Sequence, residues 1–356
     1  MSEVRAKKAL GQHFLVDLNI ARKICDALSG GVRPEAGAET RAVAAGSADA
    51  DAETRTRVAG YAGAGAEART MAAGSADAGA EARTKATGTA DADAETRRGV
   101  AASADARLAA DTTAAGAPAA AEEERSGAVP CDVLEVGCGM GVLTQFLLRR
   151  GDITTYGAEI DPESVEYLHA HFPEFAPRLI EGDFLKMNLR ERFPRGLKII
   201  GNFPYNISSQ IFFKVLEHRD LVPECVGMIQ KEVAVRIAEP PGSKEYGILS
   251  VLLQAWYDIE YLFTVNETVF NPPPKVKSAV IRLRRNSVGR LGCDEALFVK
   301  VVKASFGQRR KMIRNSLRSV FGNFGGAEHP FFTQRAEQLS VADFVELTDW
   351  VAANRT

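Results

Sequence analysis

From Asp132 to Glu239, short apolar or β-branched runs alternate with segments whose apolar residues recur every three or four positions. DVLEVG, TTYGAEI, RLIEGD, LKIIGN and CVGMIQ read as strands, whereas VLTQFLLRR, PESVEYLHAHF, SSQIFFKVLEH and KEVAVRIAE read as helices. This alternation predicts an α/β fold, a doubly wound parallel sheet whose ligand site lies at the carboxyl ends of the strands. Upstream, Ile20, Ile24 and Leu28 share one helical face, and Gly30 and Gly31 are expected to cap that helix. Downstream, YDIEYLFTV and KSAVIRLR predict an antiparallel hairpin at one sheet edge. From about Asp294 the pattern is helical, which predicts a smaller second domain.

Residues 34–127 do not fit this pattern. AETR or AEAR recurs at 38, 52, 66, 80 and 94, a period of 14 residues, in a background of Ala, Gly, Asp, Glu and Thr. Two heptads fit that period, but a seam of little beyond Ala, interrupted by Gly, buries too little to offset the ordering entropy. The expectation is a disordered insert rather than a coiled coil or a solenoid. The predicted organisation is therefore an N-terminal segment and first helix (1–33), the insert (34–127), a catalytic domain (128–290) and a C-terminal helical domain (291–356).

The formal charge of −2 conceals an asymmetry. The insert holds 16 acids and 10 bases, net −6, leaving 30 acids and 34 bases, net +4, elsewhere. No run of apolar residues is long enough to span a bilayer and the N-terminus lacks an apolar secretory core, so a cytoplasmic protein without membrane contact is expected. Five cysteines without C-x-x-C are expected to be free thiols rather than a disulfide frame or zinc site, and no metal is expected.

Candidate chemistry begins at DVLEVGCGMG. Gly137, Gly139 and Gly141 form a glycine turn between strand and helix, where backbone amides can approach a ligand. A dinucleotide fingerprint requires glycine or alanine at 142, where Val142 stands, so a nicotinamide cofactor is disfavoured. Glu159, ending the next strand, is placed to accept from both ribose hydroxyls, and Asp183, ending the third, from an exocyclic adenine amine with Phe184 against the ring. Together these favour an adenosyl ligand. After the fourth strand comes NFPYN. There the Asn202 side-chain oxygen and the carbonyl at Pro204 would accept from an incoming NH2 group while Tyr205 stacks on its base. Accepting both protons favours a pyramidal nitrogen and aims its lone pair at an electrophile, the methyl of S-adenosylmethionine. Asn202 thus belongs to the cofactor edge of the site as well as to the catalytic group.

With NFPYN, the stretches KKALGQHFLVDLNIARKI, VLEVGCGMGVLT, FNPPPKVKSAV, FGQRRKMIRNSL and RAEQLSVADFVEL occur in order, and the chain resembles the small-subunit ribosomal RNA adenine dimethyltransferase family, the kasugamycin-resistance type. The resemblance implies a Rossmann-like class I S-adenosylmethionine-dependent methyltransferase. It would dimethylate N6 of two adjacent adenosines in a hairpin loop near the 3′ end of 16S rRNA, acting as a monomer on the small subunit or its precursor during ribosome biogenesis. It further implies that His13 and Leu15 border the cofactor, that Gly137 holds its methionine end, and that Phe270 stacks on the far side of the target base. His13 stands where asparagine is common, and Phe203 where leucine is usual. The insert, between the first helix and first strand, is expected near the N-terminal segment that covers the cofactor.

Independent support for an RNA partner comes from residues 303–318, which carry Lys303, Arg309, Arg310, Lys311, Arg314 and Arg318 and no acid. On one helix these make a phosphate-facing stripe. Two alternatives stay open: an erythromycin-resistance-type methylase of large-subunit 23S rRNA, and a non-catalytic assembly factor.

Overall fold

The computed structural model describes residues 4, 7, 10–33 and 129–355; the repeat expected to be a disordered insert lies outside them. In chain order the strands are β1 (Phe14–Leu15), β2 (Val32–Arg33), β3 (Val129–Val136), β4 (Ile153–Glu159), β5 (Leu179–Glu181), β6 (Lys198–Asn202), β7 (Glu224–Gln230), β8 (Tyr257–Val265), β9 (Phe270–Asn271) and β10 (Ser278–Arg285). The α-helices are α1 (Leu18–Ala27), α2 (Thr144–Leu147), α3 (Pro162–His171), α4 (Leu189–Arg192), α5 (Ser208–Glu217), α6 (Lys231–Ala238), α7 (Ile248–Gln254), α8 (Glu295–Gly307), α9 (Ile313–Phe321) and α10 (Val341–Asn354).

The main sheet runs β5–β4–β3–β6–β7–β10–β8. Its first five strands are parallel, while β10 pairs antiparallel with both β7 and β8. The doubly wound sheet and edge hairpin read from the apolar pattern are both present. Helices cover each face because the parallel strands are apolar on both sides: Leu134, Val136 and Ile199 enter one core, Val133, Ile200 and Val226 the other. The first core continues without a break into Leu297, Val301, Phe344 and Val351, so the helices from Glu295 onward pack through the same apolar cluster as the sheet.

Three local expectations change. Asp17 caps α1, accepting from Asn19 N and Ile20 N, but the helix ends at Leu28 in extended conformation rather than at Gly30 and Gly31. Leu28 is 2 % exposed and anchored in the core, and Arg150 Nη1 donates to the Cys25 and Leu28 carbonyls, the role a glycine cap would otherwise serve. The basic stretch 303–318 is not one helix. It breaks after Gly307 into a turn closed by Lys311 N on Gln308 O at 2.7 Å, and α9 restarts where Ile313 N donates to Gln334 O at 2.8 Å.

The third concerns the insert. Val32 pairs with Pro130 and Arg33 with Val129, antiparallel, so the chain leaves and rejoins the described body at adjacent points. These lie at the start of β3, whereas the glycine turn follows its other end, roughly 23 Å away at about 3.3 Å per residue. The attachment points are therefore at the opposite end of the sheet from the expected cofactor site, not near its cover.

Candidate active site

A cleft of about 190 Å³ opens at the carboxyl ends of β3, β4, β5 and β6. Gly137, Gly139, Glu159, Asp183, Phe184, Asn202, Pro204 and Tyr205 all line it, as does His13 from the N-terminal segment. Gly137 has φ +77°, and a side chain there would point towards the Asn202 carbonyl and Pro204, so the glycine turn directly adjoins the NFPY turn.

Asn202 ends β6. Its Nδ2 donates to the His13 carbonyl at 3.0 Å, which turns Oδ1 the other way, and Oδ1 accepts no hydrogen bond among the described residues. The Pro204 carbonyl accepts from Ile207 N at 3.1 Å, which leaves its second lone pair. Tyr205 is held by a hydrogen bond between its hydroxyl and Ser278 Oγ, its ring 5.4 Å from the His13 imidazole and tilted by 32°. Burial pushes the Tyr205 phenol up, against the Ser278 hydrogen bond, which keeps it neutral. His13 donates from Nδ1 to the Pro272 carbonyl at 2.9 Å. Phe203 is 1 % exposed and lies where Gly227 and Gly201 leave room for its ring, anchoring the turn from beneath.

At the cofactor end, Glu159 is 4 % exposed and accepts from Gly139 N (2.8 Å), Ile160 N and Asp161 N (both 2.9 Å). Burial pushes its pKa up despite these three bonds. A carboxylate has about four lone-pair positions, so one remains, on Oε2. The expected capture of both ribose hydroxyls is thus reduced to one unless Gly139 N moves away. Asp183 Oδ1 accepts from Leu185 N at 2.9 Å, and among the described residues Oδ2 has only Lys186 Nζ at 3.9 Å, leaving it able to accept from an amine. The amides of Gly137, Gly139 and Gly141 donate to Ala158 O, Glu159 Oε2 and Cys138 O, so the glycine turn offers close backbone approach rather than free donors. The remaining ribose acceptor with an amine acceptor beside an aromatic ring fits S-adenosylmethionine.

Not every expected residue reaches the cleft. Gly141 faces the other way, its Cβ position 2.4 Å from the Phe172 ring, so it allows packing against the end of α3. Leu15 and Phe270 are 2 % and 4 % exposed and pair with each other between β1 and β9 inside the second core, because the apolar side chains of a docked two-strand ribbon turn inward. Phe270 is therefore a structural anchor rather than a face for the base. Among the cationic residues, Arg309 Nη2 donates to the Tyr246 carbonyl and Arg314 pairs with Glu328, while Arg310 and Lys311 project from the exposed turn.

Sequence reasoning missed the clasp over the cleft. Lys7 Nζ contacts the buried Asp161 carboxylate and lies 3.0 Å from Glu163, while Gln12 bridges Lys7 N (2.8 Å) and Asp161 Oδ2 (3.3 Å). Burial acts to raise Asp161, but hydrogen bonds from Lys7, Gln12 and Ser164 outweigh it and hold the carboxyl below its ordinary value. The only sequence signal was the acid two positions after Glu159, since its partners lie some 150 residues away.

The family model for "Ribosomal RNA adenine dimethylase" matches residues 130–353. "Ribosomal RNA small subunit methyltransferase A" of Parabacteroides distasonis is 61% identical over 218 residues, 61% of this chain and 81% of the relative. The protein of the same name from Bacteroides thetaiotaomicron is 59% identical over 221 residues, 62% of this chain and 82% of the relative. Among solved structures, a dimethyladenosine transferase from Plasmodium falciparum superposes with a TM-score of 0.52 at 26% identity, covering 63% of this chain and 90% of that one. The chain belongs to the ribosomal RNA adenine dimethylase family.

Proposed function

We propose that the protein dimethylates N6 of two adjacent adenosines in a hairpin loop near the 3′ end of 16S rRNA, using S-adenosylmethionine and acting as a monomer on the small ribosomal subunit or its precursor. The observation that carries this reading is the orientation of the Asn202 amide: its NH2 half is held by the His13 carbonyl, so an acceptor oxygen faces the cleft beside Gly137.

When bound, S-adenosylmethionine supplies a methyl group on a sulfonium leaving group. The chain's own residues prepare the acceptor. Asn202 Oδ1 and the remaining lone pair of the Pro204 carbonyl accept the two protons of an adenine N6 amine, which disfavours delocalisation of its lone pair into the ring and directs it at the methyl. Tyr205, restrained by Ser278, offers a ring face to the base. A loop adenosine reaches this depth by leaving its stack, at a cost of a few kcal/mol. Exposed on the turn after α8, Arg310 and Lys311 offer cationic charge to the phosphate backbone, while Arg309 and Arg314 are tied to the protein.

The test is transfer of labelled methyl to unmethylated small subunits, large subunits and duplex DNA, with the product nucleoside mapped. N6,N6-dimethyladenosine at adjacent positions near the 3′ end of small-subunit rRNA is the expected result. Label confined to large-subunit rRNA, or tight subunit binding without label, would overturn it.

A further inference from the structure

Lys214 lies on α5, away from the lining of the cleft, yet its ammonium is engaged with the turn that carries Asp183 and Phe184. Its Nζ donates to the carbonyls of Leu185 (2.9 Å) and Met187 (2.7 Å) and lies 5.5 Å from the centre of the Phe184 ring. Residues Phe184–Lys186 form a single turn of 3-10 helix, a geometry with poor hydrogen bonds and little stability of its own. The turn is closed by Asp183 Oδ1 on Leu185 N and by Met187 N on Phe184 O at 3.1 Å. Without Lys214, two carbonyls at its end would lose their side-chain donor. The same helix begins immediately after the NFPY turn, where Ile207 N donates to Pro204 O and Ser208 Oγ to Tyr205 O at 3.3 Å.

We infer that Lys214 is a positioning residue: by binding the Leu185 and Met187 carbonyls from α5, it holds Asp183 and Phe184 in place for the adenine of the methyl donor and ties that turn to the acceptor turn at the start of the helix. The inference rests on reading Asp183 and Phe184 as the nucleoside end of the cleft. An ammonium on two carbonyls beside an aromatic face combines charge-assisted hydrogen bonds with a cation–π contact, which suits a clamp on a short turn.

Binding of 5′-methylthioadenosine, measured by calorimetry, tests this without turnover, because that ligand has the nucleoside but not the methionine carboxylate and amine. Lys214→Met is expected to weaken it about tenfold, with the KM for S-adenosylmethionine rising by a similar factor and kcat falling less than about threefold. Lys214→Arg, which can reach both carbonyls, should restore most of the affinity. Asp183→Ala is measured in parallel. If it weakens 5′-methylthioadenosine and Lys214→Met does not, the role of Lys214 is overturned while the nucleoside site stands. If neither weakens it, the reading of the turn fails and the inference with it. Should Lys214→Met not fold, Lys214→Gln, reaching at most one carbonyl, must bind more weakly than the unmodified protein; unchanged affinity overturns the proposal.

Discussion

Asn202 Nδ2 and the main-chain carbonyl of His13, 189 positions apart in sequence, meet at 3.0 Å across the cleft. The contact assigns the two ends of the amide, since a carbonyl can only accept, and makes the N-terminal segment part of the cleft wall. Asn202→Ala is expected to lower methyl transfer by about a hundredfold or more while affinity for S-adenosylhomocysteine stays within about threefold. Asn202→Asp should fare no better, because a carboxylate facing the His13 carbonyl is repelled. Single-turnover transfer and calorimetry separate the two effects. A large loss of cofactor affinity in Asn202→Ala would contradict the assignment.

Phe203 offers a test of the support beneath the turn. A Cβ at Gly227 would lie 2.4 Å from the Phe203 ring, itself packed edge-on against Phe212. Gly227→Ala should destabilise the protein by about 1–3 kcal/mol through overpacking and reduce transfer by displacing the turn. Gly227→Ala combined with Phe203→Leu should regain stability, which thermal melts of the single and double variants would reveal.

Glu135 gives a prediction about pH. It is 1 % exposed and accepts from Thr144 Oγ1 at 2.6 Å; burial, reinforced by the charge of Glu159, pushes its pKa from 4.5 up to about 8 despite that hydrogen bond. Between these values the native chain retains a proton that the unfolded chain has released. Stability from this group is therefore complete below about 4.5 and falls as pH rises to about 8, by about 1.4 kcal/mol per unit. Glu159, also raised, acts in the same direction. Glu135→Gln preserves an acceptor for Thr144 and should flatten the dependence of Tm on pH between about 6 and 8; an unchanged slope would place the titration elsewhere.

The attachment of the insert leads to a deletion experiment. Because Arg33 and Val129 are paired antiparallel neighbours, removing 34–128 and closing the gap with Asn-Gly makes a two-residue hairpin at the end of the sheet away from the cleft. Thermal stability and methyl transfer are expected to stay close to those of the full chain, and collapse of either would show that the deleted residues are structural.

Arg310 and Lys311 should contribute unequally with Arg314. The first two are exposed on the turn after α8, whereas Arg314 is already paired with Glu328. Replacing Arg310 or Lys311 with Ala should weaken subunit binding and reduce the slope of log affinity against log salt by about 0.7–0.9 for each phosphate that is no longer neutralised. Arg314→Ala should change that slope less. Equal changes for all three would show that the ion pair opens on binding.

Local sequence already determined much of this protein. Strand and helix alternation, the glycine turn, Glu159, Asp183 and NFPY each follow from residues close together along the chain, because period, turn chemistry and strand-end position are short-range properties. Tertiary structure decided what depends on distant partners. Leu15 and Phe270 look like site residues in their motifs, but their pairing between β1 and β9 turns both into the core. The continuous basic run splits because Gln334, far along the chain, fixes where α9 begins. The direction of the Asn202 amide, the Lys7–Asp161 clasp and the Lys214 clamp were equally illegible. Each joins groups separated by tens to hundreds of residues, and a hydrogen bond depends on where the two atoms meet, which only the packed sheet and its helices establish.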